Sequence, residues 1–175
     1  MPNPLIQLGF DIPFDRIEPA QVEPAVDALL ASARVAVDAI AQSNQPRTYD
    51  NTLGALEDAT EALELAMTIV GHLESVATTE ALRDAYNAAV PKVSAFWSEL
   101  AMNDGLYAAV RAFAQTSEAG SLDPTRKRFL QKTLDDFRRH GAELGPEDKA
   151  TLQAMEVELT KLTTKFSQHV LDETN

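Results

Sequence analysis

Residues 146–172 read PEDKATLQAMEVELTKLTTKFSQHVLD. Leu152, Met155, Leu159, Leu162, Phe166 and His169 step along this stretch by 3, 4, 3, 4 and 3 residues. That alternation lines six side chains along one seam of an α-helix, in the manner of a coiled coil. Gly145-Pro146 supplies the start signal, because proline is tolerated in a helix's first turn. Such a helix extends roughly 37 Å and calls for a second long helix lying antiparallel along its seam. His169 is expected on that seam, partly buried and hydrogen-bonded to the neighbouring helix. The apolar pattern runs almost to Asn175 without a glycine or proline stop, so a helix cut by the end of the sequence is expected.

Working back from this helix, the same period recurs. Val22, Val26, Leu29, Ala33, Val37 and Ile40 form one stripe over 19–42, broken by Ser43-Asn44-Gln45-Pro46. A second helix is expected over 49–76 with Leu53, Leu56, Leu63, Met67, Val70 and Leu73 inward, capped by Thr48 or Asp50. A third runs over 79–102, capped by Thr79, with Pro91 as a kink and Phe96, Trp97 and Leu100 as bulk. A short fourth covers 105–115 with Leu106, Tyr107, Val110 and Phe113 on its core side. Residues 116–121 read as a loop. Asp123-Pro124 then caps and opens a fifth helix to His140, ended by Gly141. The fold class is therefore all-α: about six helices in long antiparallel helical hairpins, forming one domain over 19–175.

Residues 1–18 differ. Pro2, Pro4, Pro13 and Pro19 interrupt Leu5, Ile6, Leu8, Phe10, Ile12, Phe14 and Ile17. Proline stops helix propagation and holds its predecessor extended, so this is an extended N-terminal arm, and its apolar residues imply that it is packed on something.

Composition excludes several function classes. The 175 residues carry 27 acids against 15 bases, a formal net charge of −12, and no cysteine. A nucleic-acid binder needs a basic face, and docking on anionic lipid needs the same. Without cysteine there is no disulfide framework, thiolate metal site or cysteine nucleophile. No basic leader precedes an apolar run, and no stretch approaches the roughly 18 apolar residues of a membrane span, so a cytoplasmic protein is expected.

The search for chemistry is mostly negative. A helix-borne zinc peptidase site needs His-Glu-x-x-His, two imidazoles on one face with a carboxylate between them. The three histidines are His72, His140 and His169, and none has another four residues away. Glu-x-x-His, as in di-iron bundles, is absent as well. His169 and Glu173 share a face, but a metal needs further ligands from elsewhere. His72, beside Gly71, reads as an interhelical polar contact. Glu57, Asp58, Glu61 and Glu64 read as a solvated face. Arg126-Lys127-Arg128, with Lys132, Arg138 and Arg139, reads either as a dock for an acidic partner or as pairing with Asp135 and Asp136. Composition and period thus specify a helical domain with no visible active site.

Several segments, taken in order, resemble a known family. Pro13-Phe14-Asp15-Arg16-Ile17-Glu18-Pro19 followed by Val22-Glu23-Pro24-Ala25 is similar to the opening of the oligopeptidase A and thimet oligopeptidase family of zinc metallopeptidases. Pro46-Arg47-Thr48-Tyr49-Asp50-Asn51-Thr52 resembles the family's next segment. His72-Leu73 with Val76, Leu82-Arg83 with Ala85-Tyr86-Asn87, and Pro91 with Phe96-Trp97 continue the series. Asp136-Phe137-Arg138 with Gly141-Ala142, then Lys165-Phe166-Ser167 with Val170-Leu171-Asp172, complete it. The bacterial oligopeptidase A branch is the best match, and His169 stands where the family pattern has asparagine.

The resemblance implies that these residues are the N-terminal, non-catalytic part of a longer peptidase that hydrolyses short peptides. The family's zinc ligands have no counterpart here, so no catalytic, cofactor-binding or metal residue is carried over. Zinc is expected only in the catalytic part of the parent. The implied partners are short peptide substrates and the C-terminal catalytic domain of the same protein, with neither nucleic acid nor membrane. In the family the N-terminal helices form one wall of a narrow substrate channel. The alternative is a stand-alone acidic helical interaction module. The two differ in exposed apolar surface: a piece of a larger enzyme leaves an orphaned patch, at the arm or the last helix.

Overall fold

A computed structural model describes residues 3–174; residues 1, 2 and 175, and with them Pro2 and Asn175, lie outside the described residues. Among the described residues seven α-helices follow one another: α1 (Pro19–Gln42), α2 (Ala55–Val76), α3 (Glu80–Ala101), α4 (Asp104–Ala114), α5 (Ser117–Ser121), α6 (Pro124–Arg139) and α7 (Pro146–Thr174). Among the described residues there is no strand, so the all-α expectation holds. The extra helix is α5. Residues 116–121, expected as a loop, wind into one turn because the Thr116 hydroxyl accepts the amide of Ala119 at 3.2 Å. Residues 50–54, expected as α-helix, form a wider π-type turn closed by the Gly54 amide on the Tyr49 carbonyl. Thr48 starts it: its hydroxyl accepts the Asn51 amide at 3.1 Å while Asn51 Oδ1 accepts the Thr48 amide at 3.0 Å.

α1 is the axis of the molecule. Its stripe of Val22, Val26, Leu29, Ala33, Val37 and Ile40 is buried throughout, and α2, α3 and α4 all pack on it. Leu106, Tyr107, Val110 and Phe113 of α4 are buried as expected, and Leu130, Leu134 and Phe137 of α6 close over them. The caps read from sequence are in place: Thr79 accepts the Leu82 amide, and Asp123 those of Thr125 and Arg126. At the end of α6 the Ala142 amide reaches the Phe137 carbonyl at 2.9 Å and the Gly141 amide that of Arg138 at 3.1 Å. This paired closure requires a left-handed residue between them, and Gly141 has φ 86°.

The arm is held at one point and open at another. Leu5 is 1% exposed, and Asn3 donates to the Gln21 carbonyl at 2.7 Å. Leu8, Ile12 and Ile17 lean on the core, and Phe14–Arg16 forms a 3₁₀ turn. Phe10, by contrast, stands fully in solvent.

α7 does lie antiparallel to a long helix, α3, as its pattern demands, but on a different face. Glu156 pairs with Ser98, Thr160 Oγ1 with Ser94 Oγ at 2.6 Å, and Gln168 with Asn87. As α7 advances α3 recedes, which is antiparallel packing. The expected seam is not the buried one: Met155, Leu159, Leu162 and Phe166 are 57–69% exposed. His169 is likewise exposed, not half-buried on a seam. The physical reason is that hydroxyls, a carboxylate and amides facing one another across α3 and α7 satisfy each other, so this polar face can be covered without stranding a donor or acceptor.

Candidate functional site

A cleft of about 750 Å³ lies between α2, α3, α6 and α7. α2 and α3 both lean on α1, and α7 packs on α3. Met67, Trp97, Phe129 and Leu159 give it apolar walls, and the carboxylates of Glu57, Glu64, Asp136 and Glu156 lie around them. No local spacing announced this site, because its parts come from four separate helices. The signals available in the sequence were the single tryptophan, Trp97, and the acidic face of α2.

Several polar groups of the cleft are already engaged. Ser98 is bound to Glu156, and Ser94 to Thr160. His140 uses Nδ1 on the Asp136 carbonyl at 2.8 Å. Neither serine is therefore paired with an imidazole, and the arrangement has no nucleophile–base couple of the kind acyl transfer requires.

The sequence-derived candidates are dispersed. His72 is exposed, and its ring lies 6.1 Å from that of Phe14, so it meets the arm and not the interhelical polar contact expected of it. His169 and Glu173 are both exposed on α7. Among the described residues no group of three or more histidine, aspartate or glutamate side chains is placed to hold a metal ion. These residues do not fit a zinc site. Glu57, Asp58, Glu61 and Glu64 are exposed as expected, and two of them border the cleft.

Three members of the basic run, Arg126, Arg138 and Arg139, have local partners. Arg138 meets Asp135 at 3.0 Å, Arg139 meets Asp136 at 3.4 Å, and Arg126 lies 4.5 Å from the Tyr49 ring centroid. Two hydrogen bonds from the backbone amides of Arg126 and Thr125 hold the Asp123 carboxyl below its ordinary range. Deeper in, Glu74 at the end of α2 is 5% exposed, and its Oε1 has no hydrogen-bond partner among the described residues. Burial pushes the Tyr86 phenol above its ordinary value, and the charge of Glu74 adds to the effect. Among the described residues no helix is long and apolar enough to cross a membrane.

Comparison with known proteins adds what the geometry lacks. The family model described as the neurolysin/thimet oligopeptidase N-terminal domain matches residues 26–149. Oligopeptidase A of Salmonella typhimurium is 30% identical over 174 residues, which is 99% of this chain and 26% of that protein. Oligopeptidase A of Escherichia coli is 30% identical over 175 residues, again 99% of this chain and 26% of the relative. The dipeptidyl carboxypeptidase of Salmonella typhimurium is 29% identical over 173 residues, 97% of this chain and 25% of its own length. The chain thus spans about a quarter of the curated relatives it matches. With the match running unbroken from within α1 into the first turn of α7, this chain belongs to the neurolysin/thimet oligopeptidase N-terminal domain family.

Proposed function

We propose that this chain is the non-catalytic N-terminal part of a cytoplasmic, zinc-dependent oligopeptidase, and that its helices form one wall of the channel through which short peptides reach the metal. The observation that carries this reading is the match of nearly the whole chain to only a quarter of each oligopeptidase A. Long helices packed on the α1 axis make a stiff wall, and a stiff narrow passage excludes folded proteins by sterics. The charge of −12 biases it toward cationic peptides. The apolar residues left open on α7 and in the arm favour a piece of a larger enzyme over a free-standing module. The local pairing of Arg126, Arg138 and Arg139 weakens the alternative of a basic docking face.

The test is enzymatic. The full-length parent is expected to cleave a short quenched-fluorescence peptide, to stop on chelation and to recover with zinc. Residues 1–175 alone are expected neither to cleave it nor to bind zinc. Chelator-insensitive cleavage by the parent, or zinc-dependent cleavage by residues 1–175, overturns the proposal.

A further inference from the structure

The cleft between α2, α3, α6 and α7 combines apolar walls with charge of one sign. The carboxylates of Glu57, Glu64, Asp136 and Glu156 line it, and among the described residues no lysine or arginine does. Two of these carboxylates are engaged: Asp136 meets Arg139 at 3.4 Å, and Glu156 accepts the Ser98 hydroxyl. Glu57 and Glu64 are exposed on α2, and their carboxylates have no hydrogen bond or ion pair among the described residues. They stand two helical turns apart, about 10 Å along the axis. Met67, Phe129 and the single tryptophan, Trp97, are half-buried at the same cleft, so each keeps surface for a further contact. A volume of about 750 Å³ lies in the range of sites that take a small ligand.

We infer that this cleft binds a short extended peptide in which lysine or arginine accompanies an aromatic or long aliphatic residue. The cations meet Glu57 and Glu64, and the apolar side chain lies against Trp97, Met67 and Phe129. The inference deepens the reading of short peptides as ligands and rests on it. Charge complementarity selects the occupant. An acidic peptide brings like charges to the carboxylates. A wholly apolar one strips water from Glu57 and Glu64 and offers no partner in return. A basic side chain meets both demands, because its methylene stem packs on apolar surface while its charged head stays at a carboxylate. The face of an indole attracts the same head. In an extended peptide, basic residues three positions apart are separated by about 10 Å, which matches the spacing of the two glutamates. Glu57 and Glu64 are thereby specificity-determining residues for charge, and Trp97 for the apolar neighbour.

The experiment uses the full-length parent, held in chelator so that a bound peptide is not cut. The probe is fluorescein-Gly-Lys-Phe-Leu-Lys-Gly, with an analogue carrying glutamate for both lysines. Affinity is read from anisotropy at low ionic strength. Two charge-matched double variants are compared: Glu57→Gln with Glu64→Gln, and Asp58→Asn with Glu61→Gln. The second pair lies on the same helix but does not line the cleft, and all four positions are exposed, so neither pair is expected to unfold the protein. The first pair is expected to weaken binding of the lysine probe by about threefold or more, the second by less than about 1.5-fold, and neither to weaken binding of the glutamate analogue. Equal losses in the two pairs overturn the inference and leave only the long-range field of the net charge. Absence of loss in the first pair, or of binding to the unmutated parent, overturns it as well. Location is read separately, with benzoylphenylalanine in place of the probe's phenylalanine. Photocrosslinks are expected in 56–67, 86–101 or 129–140, and crosslinks confined to other segments contradict the assignment. Cleavage is measured on the same preparation with metal restored. The expected binding ratio without cleavage keeps this inference and fails the peptidase reading; cleavage with equal effects of the two pairs does the reverse.

Discussion

At the residue scale, two positions carry more than their side chains suggest. Gly141 sits at φ 86°, and a Cβ there would stand 2.7 Å from Leu144 Cδ1 and 2.8 Å from Leu152 Cδ2. The left-handed backbone strains any side chain there and the two leucine ends must shift, so Gly141→Ala is expected to cost roughly 1–3 kcal/mol in chemical unfolding. A loss within 0.5 kcal/mol would mean that the α6 closure is not needed in that form. Tyr86 ionises above its ordinary value because burial and Glu74 disfavour the phenolate. A raised value in the folded state means that the contribution is full below the unfolded value, about pH 10, and is lost as pH rises through the folded one. Tyr86→Phe is therefore expected to flatten the fall in stability above about pH 10. An unchanged alkaline slope contradicts this.

At the scale of elements, burial and not residue type sets the cost of truncation. Phe113 of α4 is 0% exposed, packed edge-on to Tyr49, and Phe113→Ala is expected to cost about 3–5 kcal/mol. Met155 of α7 is equally apolar but largely exposed, and Met155→Ala in residues 1–175 is expected to stay within about 0.5 kcal/mol. A large loss at Met155 would place that face of α7 in the core of the isolated domain. The same contrast explains what the sequence could convey. α1 and α4 were legible because each packs its whole apolar stripe, so period and burial coincide. In α7 they part. The apolar period called for an antiparallel helix along the seam, whereas α3 lies along the polar face and the seam stays exposed. The polar face that α3 covers, with Glu156, Thr160 and Gln168, carries no hydrophobic period to be read. The α5 turn was missed because one hydroxyl, Thr116, closes it without any apolar pattern. The cleft was invisible for a related reason: Met67, Trp97, Phe129 and Leu159 become neighbours only through the packing of four helices.

At the scale of the whole molecule, α2, α3 and α4 are gathered on α1 in a chain of net charge −12, and among the described residues no group of three or more histidine, aspartate or glutamate side chains is placed to hold a metal ion. Charge of one sign over a wall acts at long range and is screened by salt. The full-length parent is therefore expected to process a lysine-rich peptide with a kcat/KM that falls as salt rises, more steeply than for a neutral analogue. Equal salt dependence would remove charge from the account of substrate choice and leave only shape. The central claim is that these residues are the non-catalytic beginning of a zinc peptidase. It is tested most directly by sequencing the coding DNA downstream of the Asn175 codon. The account predicts a frame that stays open for about three times the present length and encodes His-Glu-x-x-His. A stop codon immediately after Asn175 would contradict it and leave a free-standing helical module in its place.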